Sequence, residues 1–146
     1  MRSAFVAFAG VLALSTWNVH AAFQQPIEPG SSTLAEAAKL QNPIKATPDS
    51  IAAGKKLYES NCANCHGATG KGDGKLAPTI TNGPKVADLS DATWKHGSTD
   101  GQIFTVIKDG VKSTGMRGFA SRMKTDDIWT VVNYVKTLGP KSPKTH

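Results

Sequence analysis

Residues 62–66 read Cys-Ala-Asn-Cys-His, and this C-x-x-C-H stretch decides the fold prediction for the whole chain. On a helix, the thiols of Cys62 and Cys65 lie three residues apart and His66 follows directly, so all three side chains project from one face. This spacing suits a haem, because two cysteines can form thioethers with its two vinyl groups while the adjacent imidazole binds the iron. We therefore predict one covalently attached haem, with His66 as an iron ligand.

Zinc binding, thiol redox chemistry and a structural disulfide fit the cysteine pair less well. A structural zinc site needs four nitrogen or sulfur ligands, yet the sequence has only two cysteines, and His20, His96 and His146 are not paired at finger spacing. A thioredoxin-like pair would follow a strand in a βαβ pattern, and no strand-rich segment precedes Cys62. A disulfide across two intervening residues closes too short a loop to constrain the unfolded chain much.

Residues 1–21 have the features of a signal peptide. Arg2 supplies a positive charge, residues 4–14 form an apolar run too short to span a bilayer, and residues 19–21 form a small-x-small cleavage site before Ala22. An uncleaved anchor is the alternative. We predict a periplasmic or otherwise exported protein without stable membrane insertion of the mature chain, and an oxidising compartment suits the paired thiols.

The remaining chain divides into an arm, one domain and a tail. Residues 22–46 are rich in proline, glutamine, serine and alanine, which predicts an extended arm or linker with one or two helical turns near residues 34–40. Residues 47–139 are predicted to form one small domain, in which a porphyrin would supply much of the buried apolar surface. Residues 140–146 contain two prolines and no large apolar residue, which predicts a flexible tail.

Capping residues and apolar periodicity predict an all-α domain. No segment alternates apolar and polar residues with a period of two, so strands are not expected. A short helix is expected at residues 91–96, around Trp94. The three main helices are expected to run from Thr47 into the haem motif, from a capping box at residues 99–102 to Gly110, and from Thr125 as the N-cap to Gly139.

Residues 47–139 resemble a small, soluble, single-haem bacterial cytochrome c. The resemblance rests on the haem motif, the glycine-rich run 67–74, the loop 115–119 (Gly-Met-Arg-Gly-Phe) and the start of the last helix at 125–129, in this order. It implies a cytochrome c-type helical fold that wraps one haem, with the first and last helices crossing at a close contact. Candidates for that contact are Gly54 and Tyr58 on the first helix and Trp129 and Tyr134 on the last.

The resemblance also implies a methionine thioether opposite the histidine. Met116 lies between Gly115 and Gly118, in a loop whose lack of bulk lets the backbone approach a porphyrin face. Met123 precedes the last helix, where related proteins commonly have an apolar residue, so Met116 is the predicted iron ligand. The chain departs from the common family pattern in having Arg117 after the methionine, where proline often stands.

Further residues are expected to support the cofactor. Pro78 resembles the family proline whose carbonyl accepts the other N–H of His66, and Pro84 is the alternative for this role. The indole N–H of Trp94 either donates to a haem propionate or belongs to a side chain that simply packs. His96 is an alternative iron ligand, although a histidine before a glycine more often lies at the surface or supports another ligand.

Ligation by His66 and Met116 fills both axial positions of the iron, which predicts an electron carrier and not an enzyme. The main alternative is the haem subunit of a periplasmic dehydrogenase complex, in which the arm would act as a tether. A peroxidase-like enzyme is less favoured, because it would need an open iron face with acid–base residues beside it. A gas-sensing module, in which a gas would displace Met116, is also less favoured.

The chain is basic, with 17 Lys and Arg against 11 Asp and Glu and a formal net charge of +6 at pH 7. An exported protein of this charge is expected to bind redox partners that present an acidic docking surface. Nucleic acid is not an expected partner, because the chain shows no aromatic–basic interleaving. Several basic residues lie around the loop that contains Met116, and acidic residues are interspersed with them. The basic residues are Lys108, Lys112, Arg117, Arg122 and Lys124, and the acidic ones are Asp109, Asp126 and Asp127.

Overall fold

The computed structural model describes residues 31–81 and 83–139. The predicted signal peptide, the beginning of the predicted arm and the predicted tail lie outside these residues. Within them the chain forms helices and no strands, apart from one isolated antiparallel bridge between Gly110 and Arg117, so the all-α prediction is confirmed. The helices are α1 (Ser31–Ala37), α2 (Pro48–Asn61), α3 (Ala63–His66), α4 (Asp100–Asp109) and α5 (Thr125–Leu138), with a 3₁₀ turn at Ala77–Thr79.

Helix α2 begins as the sequence predicts. The hydroxyl of Thr47 accepts the N–H of Ser50 at 3.2 Å, and the hydroxyl of Ser50 accepts the N–H of Thr47 at 2.9 Å, which makes a reciprocal capping box. The helix does not run unbroken to His66. It ends at Asn61, and after Cys62 the separate short helix α3 carries the histidine.

The beginning and end of α4 are also as predicted, whereas the beginning of α5 is shifted by one residue. Thr99 and Gln102 cap α4 reciprocally, and Gly110 ends it at a φ of 76°, a conformation that favours glycine. At α5 the extended N-cap residue is Lys124, with φ −65° and ψ 150°, so Thr125 is the first helical residue and the predicted cap is wrong. The helix start therefore depends on its two acidic first-turn residues and on packing, without a side-chain cap.

Helices α2 and α5 cross at a close contact, which confirms the role predicted for Gly54, Tyr58 and Tyr134. A methyl group at Gly54 would collide with the carbonyl oxygen of Thr130 and lie 3.0 Å from Cβ of Tyr134. One turn further along α2, the rings of Tyr58 and Tyr134 meet at a centroid distance of 5.2 Å and an angle of 59°. Glycine is therefore required by the approach of two backbones.

The remaining predicted crossing residue, Trp129, has its main aromatic contact elsewhere. Its ring stacks on Phe104 of α4 at 3.8 Å and 12°, so that α4 completes a three-helix core with α2 and α5. The predicted helix at residues 91–96 is wrong, because this segment consists of bends and a turn. Trp94 there lies against Gly139 at the end of α5, a contact that an irregular backbone permits.

Part of the predicted arm packs on this core. The side-chain amide of Asn42 donates to Oδ1 of Asn133 at 2.8 Å and to the carbonyl of Trp129 at 3.2 Å. In return, Nδ2 of Asn133 donates to the carbonyl of Ile44 at 3.1 Å and to Oγ of Ser50 at 3.2 Å. Asn133 is 4% exposed, and this network satisfies a polar group that burial would otherwise penalise.

Helix α1 lies on α4, where the lack of a side chain at Gly101 makes room for it. A Cβ at Gly101 would collide with the carbonyl of Ala37 and lie 2.6 Å from Cβ of Leu40. In addition, Nε2 of Gln102 donates to the carbonyl of Leu34 at 3.2 Å. Residues 34–44 are thus attached to the helical core, whereas the predicted division between arm and domain at residue 47 stays a prediction.

Candidate functional site

The C-x-x-C-H stretch forms a compact turn at the end of α2. The N–H groups of Cys65 and His66 both donate to the carbonyl of Cys62, at 3.0 and 2.9 Å. Both thiols are free and half-buried. The two sulfur atoms and the imidazole therefore project from a single helical turn, as the spacing predicts.

The glycine-rich run after the motif folds back and covers its exposed carbonyls. The last carbonyls of a helix have no partner within it, and here the following loop supplies the donors. A side chain at Gly74 would lie 2.6 Å from the carbonyl of Ala63, which explains why glycine stands there. The donors are the N–H groups of Gly72, Gly74 and Leu76, and the acceptors are the carbonyls of His66, Cys65 and Asn64, at 2.8, 3.2 and 2.8 Å respectively.

A buried phenol fixes the other side of this loop. The hydroxyl of Tyr58 donates to the carbonyl of Gly67 at 2.8 Å, and Tyr58 is fully buried. Burial, followed by the nearby Cys62, Tyr134 and Asp73, raises the pKa of Tyr58, so the phenol remains a donor. Sequence reasoning assigned Tyr58 only to the helix crossing and missed this second contact, for which its position four residues before Cys62 was the available signal.

The imidazole of His66 is oriented by a backbone carbonyl. Its Nδ1 lies 3.1 Å from the carbonyl oxygen of Ala87. A carbonyl can only accept, so Nδ1 carries the proton and Nε2 keeps a lone pair that can bind a metal. Burial lowers the pKa of His66, opposed by the bond to Ala87, and this favours the neutral ring that metal binding needs.

The carbonyl that receives His66 is not the one the sequence predicts. The predicted acceptor was Pro78, with Pro84 as the alternative, whereas in the structure Ala87 takes this role. The physical reason is the return of the chain to the motif, where the N–H of Leu89 donates to the carbonyl of Gly70 at 2.6 Å. Pro78 lies exposed in the 3₁₀ turn, and its contact with a haem stays a prediction.

The thiol of Cys62 is not an activated nucleophile. Burial, assisted by the charge of Cys65, raises the pKa of Cys62 to about 11. Redox-active cysteines have lowered pKa values, so the environment of this thiol argues against a thioredoxin-like site. It is compatible with a thiol that is held for covalent attachment.

Met116 lies in a loop, residues 110–118, that is closed at its base by Gly110 and Gly118 and that we call the methionine loop. Its carbonyl accepts the N–H of Val111 at 3.0 Å. At the base, Gly110 and Gly118 pass so close that a Cβ on Gly110 would lie 2.5 Å from the nitrogen of Gly118. Both Met116 and Met123 are half-buried against the core, so burial does not distinguish them, and Met116 as the ligand remains a prediction.

An open cleft of about 340 Å³ lies between this loop and the segment after the 3₁₀ turn. Two of its lining residues lie close together, since a Cβ on Gly115 would be 3.1 Å from Cγ2 of Ile80. None of the residues that line the cleft belongs to the C-x-x-C-H stretch, so the case for the cofactor rests on the donor side chains and not on this cleft. Two thiols, a neutral imidazole and a half-buried thioether provide the donor set that a covalently bound haem uses, so the residues present fit this cofactor. The cleft is lined by Thr79, Ile80, Thr81, Thr114, Gly115 and Arg117.

Trp94 and His96 lie in the irregular segment before α4. The indole N–H of Trp94 donates to the carbonyl of Leu89 at 3.1 Å, which favours the packing alternative, and the propionate contact stays a prediction. His96 is half-buried in a turn. Its assignment as an alternative iron ligand stays a prediction.

The five basic residues around the methionine loop are exposed in the structure. Arg122 lies over the ring of Phe119, with its guanidinium carbon 4.3 Å from the ring centroid, and donates to the carbonyl of Gly118 at 3.3 Å. Lys108 is 3.5 Å from the carboxylate of Asp109. Across residues 31–81 and 83–139, no helix is long and apolar enough to cross a membrane.

Comparison with known proteins gives a consistent set of relatives. The family model for cytochrome c matches residues 51–139. The chain is 32% identical over 122 residues to the Cbb3-type cytochrome c oxidase subunit CcoP of Azospirillum sp. (strain B510), covering 73% of this chain and 38% of that protein. It is 30% identical over 111 residues to the quinohemoprotein alcohol dehydrogenase ADH IIB of Pseudomonas putida, covering 75% of this chain and 14% of that protein.

A solved structure of the Kuenenia stuttgartiensis reducing HAO-like protein complex has a similar fold. The match has a TM-score of 0.63 and 30% sequence identity, over 70% of this chain and 49% of the matched chain. In each of these comparisons the chain spans less than half the length of its relative.

Proposed function

This chain belongs to the cytochrome c family, and from that premise we propose that it carries single electrons between redox partners through one haem. Family membership confirms the resemblance drawn from the sequence and, with it, the predicted cofactor, covalently bound haem c. A bound haem supplies a one-electron couple at its iron. The chain's own residues would hold this group and orient it.

The observation that carries the proposal is the orientation of the His66 imidazole within residues 62–66, which we call the thiol turn. Cys62 and Cys65 would attach the cofactor, and His66 would offer Nε2 because Ala87 holds its Nδ1 proton. A carbonyl acceptor on the far nitrogen fixes the ring plane and raises the basicity of the ligand. The histidine would therefore keep its position in both oxidation states, which favours fast electron transfer.

Met116 is the proposed ligand on the opposite side. Its carbonyl accepts the N–H of Val111, and the two glycines at the base let the two ends of the loop pass close together. A neutral thioether favours the reduced iron and raises its potential relative to a second histidine. If His66 and Met116 both bind the iron, no position would be free for a substrate, and we propose no enzymatic activity for this chain by itself.

A second candidate is a haem subunit of a larger oxidoreductase. It is favoured by the relatives, which are an oxidase subunit, a quinohaemoprotein dehydrogenase and a chain from a protein complex, and which are each more than twice as long as the matched region. In that case residues 34–44, attached to α4 and α5, would hold the domain firmly against whatever the preceding residues join.

We also propose export to the periplasm and a partner with an acidic surface. Residues 1–21 supply the proposed signal, and the paired thiols suit an oxidising compartment. The five exposed basic residues of the methionine loop would face the partner, since they surround the loop that borders the cleft.

The test is the pair of variants Met116→Ala and Met123→Leu in the haem-loaded protein. Met116→Ala is expected to lose the methionine-to-ferric absorption band, lower the reduction potential and allow the reduced protein to bind carbon monoxide. Met123→Leu conserves volume and is expected to change stability alone. Loss of the band in Met123→Leu, with the band retained in Met116→Ala, would reverse the assignment.

Attachment is tested by mass spectrometry of the purified protein. The measured mass is expected to exceed that of the polypeptide by one haem, and acid and organic solvent are not expected to extract this haem. If the proposed signal is removed, the polypeptide is expected to begin at Ala22. Extractable haem would contradict the proposed roles of Cys62 and Cys65.

A further inference from the structure

One side chain in the methionine loop holds the backbone of Met116 and belongs to no predicted site. The hydroxyl of Thr114 accepts the N–H of Met116 at 3.1 Å and donates to the carbonyl of Val111 at 2.8 Å. The N–H of Val111 in turn donates to the carbonyl of Met116 at 3.0 Å. Both backbone polar groups of Met116 are therefore held, one directly by Thr114 and the other by its partner Val111.

The tip of the same loop has little freedom of its own. Ser113 has a φ of 66°, the left-handed region that a residue with a side chain rarely adopts. The tip also lies against Gly83, because a Cβ on Gly83 would be 2.6 Å from the carbonyl oxygen of Ser113. An unfavourable conformation of this kind persists only where the surrounding contacts hold it.

We propose that Thr114 is a positioning residue whose hydroxyl fixes the backbone of Met116, so that the thioether stays on the iron against competing ligands. The inference rests on the proposed role of Met116 as an iron ligand. A methionine side chain has three rotatable bonds and adapts to its surroundings, so the position of its sulfur depends on how firmly the backbone is held. Arg117, which follows Met116, has no ring that restrains the backbone, and the hydroxyl of Thr114 would supply this restraint.

The experiment measures how readily imidazole replaces the thioether in the ferric, haem-loaded protein. Thr114→Val keeps the β-branched shape and removes the hydroxyl, and Thr114→Ala removes the same group in case valine perturbs the fold. Both are expected to lower the apparent Kd for imidazole about tenfold, equivalent to about 1.4 kcal/mol. Thr114→Ser restores the hydroxyl and is expected to stay within about twofold of the parent protein.

A matched control removes a similar hydroxyl far along the chain. The hydroxyl of Thr137 donates to the carbonyl of Tyr134 at 2.6 Å, in the last turn of α5. Thr137→Val is expected to leave imidazole binding unchanged, even if it lowers the unfolding temperature as much as Thr114→Val does. Equal loosening by both variants would mean general destabilisation and would refute the inference.

Met116→Ala separates this inference from the proposed function. If it loses the methionine band while Thr114→Val and Thr114→Ala bind imidazole like the parent protein, Met116 is the ligand and Thr114 does not position it. If Met116→Ala retains the band, another residue is the ligand, and the proposed assignment is refuted together with this inference.

Discussion

The substitution Gly54→Ala tests the helix crossing, because local and packing effects predict opposite signs. Alanine is favoured over glycine within a helix by about 1 kcal/mol, so propensity alone would stabilise the protein. In the structure, however, the new methyl group would collide with the carbonyl oxygen of Thr130 and lie 3.0 Å from Cβ of Tyr134. A backbone carbonyl cannot rotate away as a side chain can, so the two helices must separate.

Overpacking of a core costs about 1–3 kcal/mol, and the backbone obstacle places this site at the upper end. After the gain in propensity, we expect a net loss of about 1–2 kcal/mol. For a domain of this size, each kcal/mol lowers the unfolding temperature by about 4–8 °C. The assay is thermal and denaturant unfolding of the haem-loaded protein, followed by helical circular dichroism.

The control for propensity is Ala53→Gly, at an exposed neighbouring position of the same helix. It is expected to destabilise by about 1 kcal/mol without any contact being changed. A Gly54→Ala variant that is as stable as the parent protein, or more stable, would refute the close contact, because the approach of the helices would then impose no cost.

Other predictions concern the buried polar contacts and the basic loop. Asn133→Ala is expected to cost about 1–3 kcal/mol, since it removes the side-chain partner of the Ile44 carbonyl and one of the two partners of the Asn42 amide, which keeps its bond to Trp129. Asn61→Ala at an exposed position is the control, and equal losses would contradict the network's role. Tyr58→Phe removes the bond to Gly67 and is expected to cost about 1–2 kcal/mol in denaturant unfolding, so an unchanged midpoint would refute it. Electron transfer to an acidic partner is expected to slow as salt rises past about 0.1 M, where the Debye length is about 10 Å. Lys112→Glu should slow it at low salt and Lys55→Glu on α2 should not, and indifference to both salt and charge reversal would exclude docking through the basic loop.

Local sequence signals predicted the parts of the fold that depend on neighbouring residues. The thiol turn, the cap at Thr47 and the end of α4 at Gly110 each depend on side chains within a few residues, and all three are present. The position of Gly54 at the helix crossing was predicted through the family resemblance, because a single glycine in a helix does not indicate which segment packs against it. Thr125 failed as a cap because propensity does not distinguish the last extended residue from the first helical one.

Contacts between residues far apart in the chain could not be predicted from the sequence. Nothing local indicates that Ala87 meets His66, which is 21 positions away, or that Asn42 reaches Asn133. The stacking of Phe104 on Trp129 was missed for the same reason, because periodicity does not show which helix faces pack together. For the same reason, the sequence predicted an extended arm where residues 34–44 in fact pack on the core.

The network around Asn133 also bears on the order in which the chain can fold. Its bonds join residues separated by 83 and 91 positions, so the principal crossing closes a loop that contains the haem motif. Contacts of such high separation form slowly, after the entropy of loop closure has been overcome. A chain synthesised only as far as residue 120 lacks α5, and Cys62 and Cys65 then lie at the end of a helix without its main partner. The thiol of Cys62 is thus more exposed before the last helix docks, because in the folded chain it packs in part against the core that α5 completes.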